Sequence, residues 1–271
     1  MKVTYSTNAW GAVMGFAGAM NNVNSAYYVS TGSAIEAISQ IAKAGFEQIE
    51  IFDGNLLAYE GKEQEFKKLL EDNGAVLTAV YCAGNFIYDE ILEEELYRID
   101  KAAGFASRFG ATQLVIGGGA TRYNGIREDD YNKLAAALDK VCSVADKYKM
   151  TASLHPHMGS LVQSPEQLAK VMINTRMKLC PDTGHVLLGG GDPLKVIEKY
   201  LDRIDYIHLK DVTAEGMFAP LTLGTIDFDP IVNLLKNSGR PVQIAIECDG
   251  WNGDPAEGAG ITFKYLEKKK L

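Results

Sequence analysis

The chain has 271 residues, of which 46% are hydrophobic and 23% are charged, a composition typical of soluble globular proteins rather than of disordered or membrane proteins. Its net charge of −8 disfavours nucleic acid as a partner, because proteins that bind phosphates need an excess of lysine and arginine. The four cysteines form no C-x-x-C pair, and no segment has the pattern of a signal peptide or a membrane span. We therefore expect a cytoplasmic protein that does not act at membranes.

Eight short apolar or alternating segments predict β-strands, and each is followed by a stretch with helical periodicity. In chain order, the predicted strands are residues 3–9, 46–52, 75–82, 112–118, 150–156, 177–182, 204–210 and 242–248. The predicted helices include residues 32–45, 93–110, 128–149, 164–172 and 192–201. This repeat predicts an α/β fold, a single (β/α)8 TIM barrel, rather than an open doubly wound sheet.

No linker rich in proline, glycine or serine divides the chain, so residues 1–271 are expected to form a single domain. One segment interrupts the repeat, at about residues 10–31. It is rich in glycine, asparagine and aromatic residues and predicts a loop insertion over the barrel mouth.

Polar residues at the ends of the predicted strands predict a metal site, because the active site of a TIM barrel lies at the C-terminal ends of its strands. Four consecutive strands end in histidine or carboxylate side chains. These are His155 and His157 on the fifth, Asp182 on the sixth, His208 on the seventh and Glu247 on the eighth. Two imidazoles with two carboxylates suit a divalent ion such as Mn²⁺, Co²⁺, Fe²⁺ or Zn²⁺ and leave positions open for substrate oxygens.

Strand alternation assigns roles within this set, since residues i and i+2 face the same way. His155 and His157 are both expected to face the barrel mouth. His155, the deeper of the two, is predicted to be the ligand, and His157 is predicted either to orient a substrate hydroxyl or to support the metal ligands from behind. Lys210 shares a face with His208 and could donate to a bound oxygen or exchange protons with it; a salt bridge with Asp211 is the alternative.

Other side chains have two open interpretations. Glu50, inside an apolar strand, either binds substrate hydroxyls or pairs with a neighbouring strand. Trp10 is a loop aromatic near a strand end that either packs on a sugar ring or packs within its loop. The glycine runs 117–119 and 189–191 either hold a phosphate or form tight loops, the second being favoured because neither run matches a phosphate-binding motif.

The order and spacing of four short motifs is similar to a known superfamily. The motifs are "SLHPHMGS" (153–160), "DTGH" (182–185), "HLKD" (208–211) and "IECDGW" (246–251). In this order they resemble those of the sugar phosphate isomerase/epimerase superfamily of xylose-isomerase-like TIM barrels. Within it, the chain looks most like the inosose dehydratases of inositol catabolism.

The resemblance implies one divalent metal ion, most often Mn²⁺ or Co²⁺, with Zn²⁺, Fe²⁺ or Mg²⁺ as alternatives. It implies His155, Asp182, His208 and Glu247 as ligands. It also implies a sugar or polyol substrate that bears a carbonyl, with His185 as a substrate contact, and a possible homo-oligomer.

His155 departs from the superfamily pattern, which usually has glutamate at that position. Epimerases of the superfamily pass a proton across a substrate carbon between two glutamates, and a ligating imidazole cannot serve as the second base. A neutral imidazole in place of glutamate also leaves only two carboxylates to neutralise the divalent cation, which is then a stronger Lewis acid. The sequence therefore predicts a metal-dependent lyase acting on a keto-polyol or keto-sugar, with proton transfer by Glu247, His157 or Lys210.

Three alternatives remain from the sequence. The first is a metal-dependent sugar or sugar-phosphate isomerase or epimerase of the same superfamily. The second is an abasic-site endonuclease, disfavoured by the acidic charge. The third is a barrel without turnover that binds sugars or regulates a partner.

Overall fold

The computed structural model describes residues 2–10 and 27–271, except for the side chain of Trp10. Its centre is one sheet of eight parallel strands in the order β6-β5-β4-β3-β2-β1-β10-β7. The strands are β1 (Val3–Ser6), β2 (Gln48–Phe52), β3 (Val76–Cys82), β4 (Gln113–Gly117), β5 (Thr151–His155), β6 (Lys178–Leu179), β7 (Tyr206–Leu209) and β10 (Gln243–Ile246). A parallel bridge between Asp182 and His208 joins the two ends of this order, so the predicted TIM barrel is confirmed.

Helices follow the barrel strands and cover the outside of the sheet. They are α1 (Ala34–Ala44), α2 (Asp53–Leu57), α3 (Glu63–Asn73), α4 (Leu92–Ser107), α5 (Glu128–Lys147), α6 (Pro165–Met172), α7 (Thr183–Leu188), α8 (Pro193–Tyr200), α9 (Phe228–Asn237) and α10 (Pro255–Lys268), with 3-10 turns at Thr7–Trp10 and Leu201–Arg203. A short antiparallel hairpin, β8 (Asp211–Val212) with β9 (Phe218–Ala219), follows β7. None of the helices in the described ranges is long and apolar enough to cross a bilayer.

Local sequence signals set the helix ends. Ser164 begins α6 with its hydroxyl accepting the Gln167 N–H, and Asp192 begins α8 by accepting the N–H of Leu194; a proline follows each. Gly45 ends α1 at φ 112°, a left-handed conformation that glycine adopts without steric cost.

Strand alternation separates an outer core from the barrel interior. Along β2, Ile49 and Ile51 belong to the core shared with the helices, whereas Phe52 belongs to a second, inner cluster. Along β7, Ile207 faces the helices and Tyr206 faces the interior. Side chains at alternate positions, in step with Phe52 on β2 and Tyr206 on β7, therefore face into the barrel. Those at the C-terminal ends of the strands line its mouth.

The predicted loop insertion at residues 10–31 lies mostly outside the described residues, as does the side chain of Trp10. From Tyr27 onward the chain is described again, and Ser30 and Asn55 exchange hydrogen bonds of 2.7 and 2.9 Å that fix this return to the start of α2. All four cysteines are buried free thiols.

Candidate active site

Four of the side chains predicted at strand ends meet inside the barrel mouth. One atom from each lies within 4.8 Å of the others, and all four residues are buried. We call this set the central cluster: His155 at the end of β5, Asp182 after β6, His208 in β7 and Glu247 directly after β10. The sequence alone thus predicts which residues come together.

Three buried atoms of the central cluster form no hydrogen bond, namely both ring nitrogens of His155 and Asp182 Oδ2. His155 Nε2 lies 3.4 Å from Asp182 Oδ2 and 3.6 Å from Glu247 Oε2. Asp182 Oδ2 also has an ion pair of 3.2 Å with Lys210 Nζ. Unsatisfied buried acceptors are rare and need an explanation. Two carboxylates and two imidazoles converging in a buried space fit a divalent cation.

Glu50 lies behind the central cluster rather than at the substrate side. It is fully buried, and its Oε2 lies 3.1 Å from His208 Nε2, while Nδ1 of the same ring lies 2.7 Å from Glu247 Oε2. Each ring nitrogen of His208 therefore faces a carboxylate. Burial acts to lower the pKa of His208, but Cys180, Glu50 and Glu247 outweigh it and raise that pKa well above its usual range. With a cation at the cluster, the Nε2–H would stay on Glu50 and Nδ1 would be free to serve as a ligand atom. Of the two interpretations of Glu50, the structure favours pairing, with a strand across the barrel.

Lys210 is fully buried at the edge of the central cluster. Its Nζ lies 3.2 Å from Asp182 Oδ2, 3.0 Å from Glu247 Oε2 and 2.7 Å from Asp249 Oδ2. Burial alone would lower the pKa of Lys210, but the surrounding carboxylates outweigh it and raise that pKa well above its usual range. The ammonium is therefore charged and shared among three acids.

Asp211 is engaged elsewhere, so the alternative salt bridge with Lys210 does not describe this site. Its two carboxylate oxygens accept backbone N–H groups from Val212, Thr222, Gly224 and Ile226. Asp211 thereby orders the loop after β7. From this loop Phe218 packs against both Lys210, at 4.8 Å, and the His185 ring, at 5.3 Å.

His157 and His185 form a second layer above the central cluster. Their ring centroids are 3.8 Å apart. His157 Nδ1 lies 2.8 Å from the Met158 carbonyl oxygen, so it carries the hydrogen and leaves Nε2 as an acceptor. His185 Nε2 accepts from Lys210 Nζ at 3.0 Å, which leaves its buried Nδ1 without a partner.

Both of these imidazoles are neutral near neutral pH. Burial, together with His155 and Lys210, lowers the pKa of His157 to about 4. Burial and the neighbouring His157 and Lys210 lower the pKa of His185 well below its usual range. The side chains can therefore position hydroxyl groups through neutral hydrogen bonds.

The electrostatics of Glu247 favour its carboxylate form. Burial would raise the pKa of Glu247, but Lys210 and His208 outweigh that effect and hold it well below its usual range. Its Oε1 accepts a hydrogen bond of 2.8 Å from Asn8 Nδ2, which fixes the plane of the carboxylate.

Sequence reasoning missed Asn8 and Asp249. The Asn8 amide, in the 3-10 turn after β1, donates to Glu247 and Asp249, and Asp249 in turn accepts a hydrogen bond from Lys210. Asp249 could have been recognised in the sequence, because it follows Glu247 by two positions and alternate residues of a strand face the same way. Asn8 could not have been recognised, because its partners lie 239 and 241 positions away in the chain.

The glycine run 189–191 has no free N–H group for a phosphate, and the N–H of Gly119 in the run 117–119 is likewise hydrogen-bonded. The N–H groups of Gly189, Gly190 and Gly191 all donate to carbonyls of α7, and those of Gly119 and Ala120 donate to Gly117 and Asn85. An anion site in a glycine loop needs free N–H groups that point at the ligand. The structure therefore favours the interpretation of tight loops.

Comparison with known proteins gives consistent matches over most of the chain. Residues 38–269 match the family model described as xylose isomerase-like TIM barrel. An inosose dehydratase of Clostridium perfringens is 27% identical over 269 residues, which cover 86% of this chain and 89% of that protein.

Solved structures of similar fold include a D-allulose 3-epimerase from Methylomonas sp., with a TM-score of 0.76 and 17% identity over 99% of this chain and 96% of that chain. They also include a 3-keto-D-glucoside 4-epimerase from E. coli, with a TM-score of 0.73 and 16% identity over 99% of each chain. At these identities the two structures show a shared fold.

Proposed function

Because the chain belongs to the xylose isomerase-like TIM barrel family, we propose that it is a metal-dependent lyase that removes water, or another β-leaving group, from a keto-polyol or keto-sugar. The observation that carries this proposal is the central cluster, which brings four buried potential metal ligands together and includes the imidazole of His155. The chain is also related to inosose dehydratases along most of its length. The proposed cofactor is one divalent ion, Mn²⁺ or Co²⁺.

The donor set of the central cluster would hold that ion. Its two carboxylates, Asp182 and Glu247, supply two negative charges, and His155 and His208 supply neutral nitrogen ligands. When bound, the cation would supply Lewis acidity toward a substrate carbonyl, which acidifies the neighbouring C–H.

Glu247 is the proposed base and Lys210 the proposed acid. Glu247 is a carboxylate and takes the α-hydrogen as a proton; the electron pair of that C–H bond becomes a C=C bond as the β C–O bond breaks. Lys210, charged and 3.0 Å from Glu247 Oε2, gives a proton to the leaving hydroxyl, which departs as water. The proton on Glu247 returns to Lys210, so both groups regain their starting states.

His157 and His185 are proposed to bind the substrate. The acceptor Nε2 of His157 and the unpartnered Nδ1–H of His185 offer one acceptor and one donor in adjacent rings. Such a pair suits two hydroxyl groups on neighbouring carbons. Trp10, whose side chain lies outside the described residues, stays a predicted substrate contact.

His155 is the residue that favours elimination over epimerisation. Inverting a carbon needs a base on each of its faces, and a ligating imidazole cannot act as one. Metal-dependent sugar isomerisation or epimerisation remains the second candidate, favoured by the solved epimerase structures that share the fold.

The decisive experiment incubates the Mn²⁺-loaded protein with 2-keto-myo-inositol and with a panel of 3-keto-sugars in D₂O. We expect a product lighter by one water, detected by mass spectrometry, and no conversion by a Glu247→Gln variant. Exchange of the α-hydrogen with an inverted ketone as the sole product would contradict the lyase and establish the second candidate.

A His155→Glu variant separates the two reactions further. It restores a carboxylate at the position where epimerases have one, so we expect water loss to fall and inversion of the α-carbon to appear. Water loss that is unchanged in this variant would show that His155 does not select the reaction.

A further inference from the structure

A cavity of about 140 Å³ opens beside the central cluster, at the C-terminal ends of β3, β4 and β5. We call it the glycine cavity. It is lined by Tyr28, Tyr81, Ala83, Gly84, Asn85, Gly117, Gly118, Gly119, Ala120, His157, Met158, Gly159 and Ser160. An engineered protein cavity of about 150 Å³ accommodates benzene, so this volume suits one six-membered ring or a large part of it.

The glycine cavity lies beside the proposed reaction site and shares two wall residues with it. His157 lines the cavity and also contacts His185, with ring centroids 3.8 Å apart. Tyr81 lines the cavity and packs edge-on to the His155 ring, at 5.4 Å. The cavity is therefore the neighbouring space that the rest of a substrate would occupy if its carbonyl lay at the central cluster.

Two glycines keep the cavity open. A Cβ at Gly118 would lie 2.5 Å from Ser160 Oγ, and one at Gly117 would lie 2.8 Å from Tyr81 Oη. Both distances are shorter than van der Waals contact. Any other residue at these positions would displace the cavity wall.

None of the described residues that line the cavity is Lys, Arg, Asp or Glu. Several N–H groups of the lining are already hydrogen-bonded: those of Gly119 and Ala120 as described above, Gly159 to Gln163 and Ser160 to His157. Among the described lining residues, a phosphate or carboxylate would find no cation, and the N–H groups of Gly119, Ala120, Gly159 and Ser160 are not free to bind it.

We propose that the glycine cavity is the subsite for the part of the substrate remote from its carbonyl, and that it accepts an uncharged, hydroxyl-bearing ring and excludes phosphorylated or carboxylated groups. The proposal rests on the proposed function, because it assumes a carbonyl at the central cluster. The cavity offers the Tyr28 hydroxyl, which stays protonated because burial raises the pKa of Tyr28 to about 12. Protonated hydroxyls and amides are the groups that hydrogen-bond to sugar hydroxyls.

Calorimetric binding to the Mn²⁺-loaded protein tests this subsite with a matched pair of probes, 3-keto-glucose and 3-keto-glucose 6-phosphate, and with 2-keto-myo-inositol. We expect the two uncharged ketones to bind and the phosphate ester to bind at least tenfold more weakly. Equal or tighter binding of the phosphate ester would overturn the exclusion of anions.

Two variants locate the subsite. Gly118→Ala should weaken binding of the uncharged ketones more than tenfold by narrowing the cavity. Tyr28→Phe, which keeps the ring packed on Phe52 and Tyr81, should raise Kd about two- to tenfold by removing one hydrogen bond. Gly260→Ala is the matched control, because a Cβ there meets no atom within 4 Å. Wild-type affinity in both cavity variants would place the subsite elsewhere and overturn the proposal.

Failure of this inference and failure of the proposed function have different signatures. Binding that depends on Gly118 and Tyr28 without loss of water would sustain the subsite and refute the lyase. Loss of water from the substrate, with ketone affinities that neither substitution changes, would sustain the lyase and refute the subsite. If none of the ketones binds at millimolar concentration, both proposals are wrong.

Discussion

At the scale of single residues, Glu50 shows how a buried carboxylate can act through a neighbour. It contacts His208 Nε2 on the side opposite the central cluster. Carboxylates in this position orient metal-ligating histidines, and their loss typically costs 10–100-fold in metal affinity. We expect Glu50→Gln to weaken Mn²⁺ binding by about that factor, measured by titration with electron paramagnetic resonance.

Glu95→Gln is the control for loss of a buried carboxylate. Glu95 is also fully buried, but it accepts the N–H groups of Asn85 and Phe86 rather than touching the cluster. Both variants should unfold at a lower temperature, and Glu50→Gln alone should lose metal affinity. Equal metal affinity in the two would mean that Glu50 serves only the packing of the barrel.

Lys210 gives the opposite prediction for metal binding. Its ammonium contacts the two carboxylate oxygens, of Asp182 and Glu247, that would hold the cation. Lys210→Met removes a like charge from the site, so we expect tighter Mn²⁺ binding, whereas water loss should fall about 10²- to 10⁴-fold with the acid removed. Lys101→Met, at an exposed pair with Glu60, should change neither. Weaker Mn²⁺ binding in Lys210→Met would show that the lysine supports the ligands instead of competing with the cation.

At the scale of elements, Asp53 links the start of α2 to the chain that returns from the barrel mouth. Its Oδ1 accepts the N–H groups of Tyr28 and Gly54, both at 2.8 Å. Burial raises the pKa of Asp53 from 3.8 to about 8, although these two N–H groups act to lower it. The folded state therefore holds this proton more tightly than the unfolded chain.

The sign of the pH dependence follows from that difference. The contribution of Asp53 is complete below about pH 4 and is lost as pH rises through about 8, with a slope of up to about 1.4 kcal/mol per pH unit between them. Asp53→Asn keeps the Oδ1 acceptor and cannot ionise. Its free energy of unfolding, from urea titrations between about pH 5 and pH 9, should decline less than that of the wild type. Asp72→Asn, on the exposed face of α3, is the control, and its free energy of unfolding should decline with pH as that of the wild type does. If the free energy of unfolding of Asp53→Asn declined as steeply as that of the wild type, the buried carboxyl would not titrate in this range.

The elements themselves were largely predictable, because strand and helix periodicity depends on neighbouring residues. Every predicted strand overlaps a barrel strand, although the sixth, expected at 177–182, is paired only at Lys178–Leu179 and through the bridge at Asp182. The β8–β9 hairpin was not predicted, since its two-residue strands are too short for an alternating pattern.

The central cluster could be predicted because the fold brings the ends of consecutive strands together. The roles of Glu50 and Asn8 could not, because they depend on which side chains meet across the barrel. Those contacts join positions 158 and 239 residues apart, and no local pattern encodes them.

At the scale of the whole molecule, the central cluster joins three of the strands to the α7 segment, so its ligation should contribute to the stability of the barrel. A cation that binds the folded state alone raises the free energy of unfolding by about 2.7 kcal/mol at 100 times its Kd. For a chain of this size we expect Mn²⁺ to raise Tm by about 5–10 °C in a thermal scan, and chelation to reverse the shift.

Asp182→Asn is the matched variant for this stabilisation. Asp182 Oδ1 accepts the His185 N–H at the start of α7, and Oδ2 faces the cluster and pairs with Lys210 Nζ at 3.2 Å. Asparagine can keep the first contact while replacing the second oxygen with an amide nitrogen, which does not ligate metals. The variant should therefore fold and lose most of the Mn²⁺-dependent rise in Tm. A rise as large as that of the wild type would mean that Mn²⁺ stabilises the barrel from a different site.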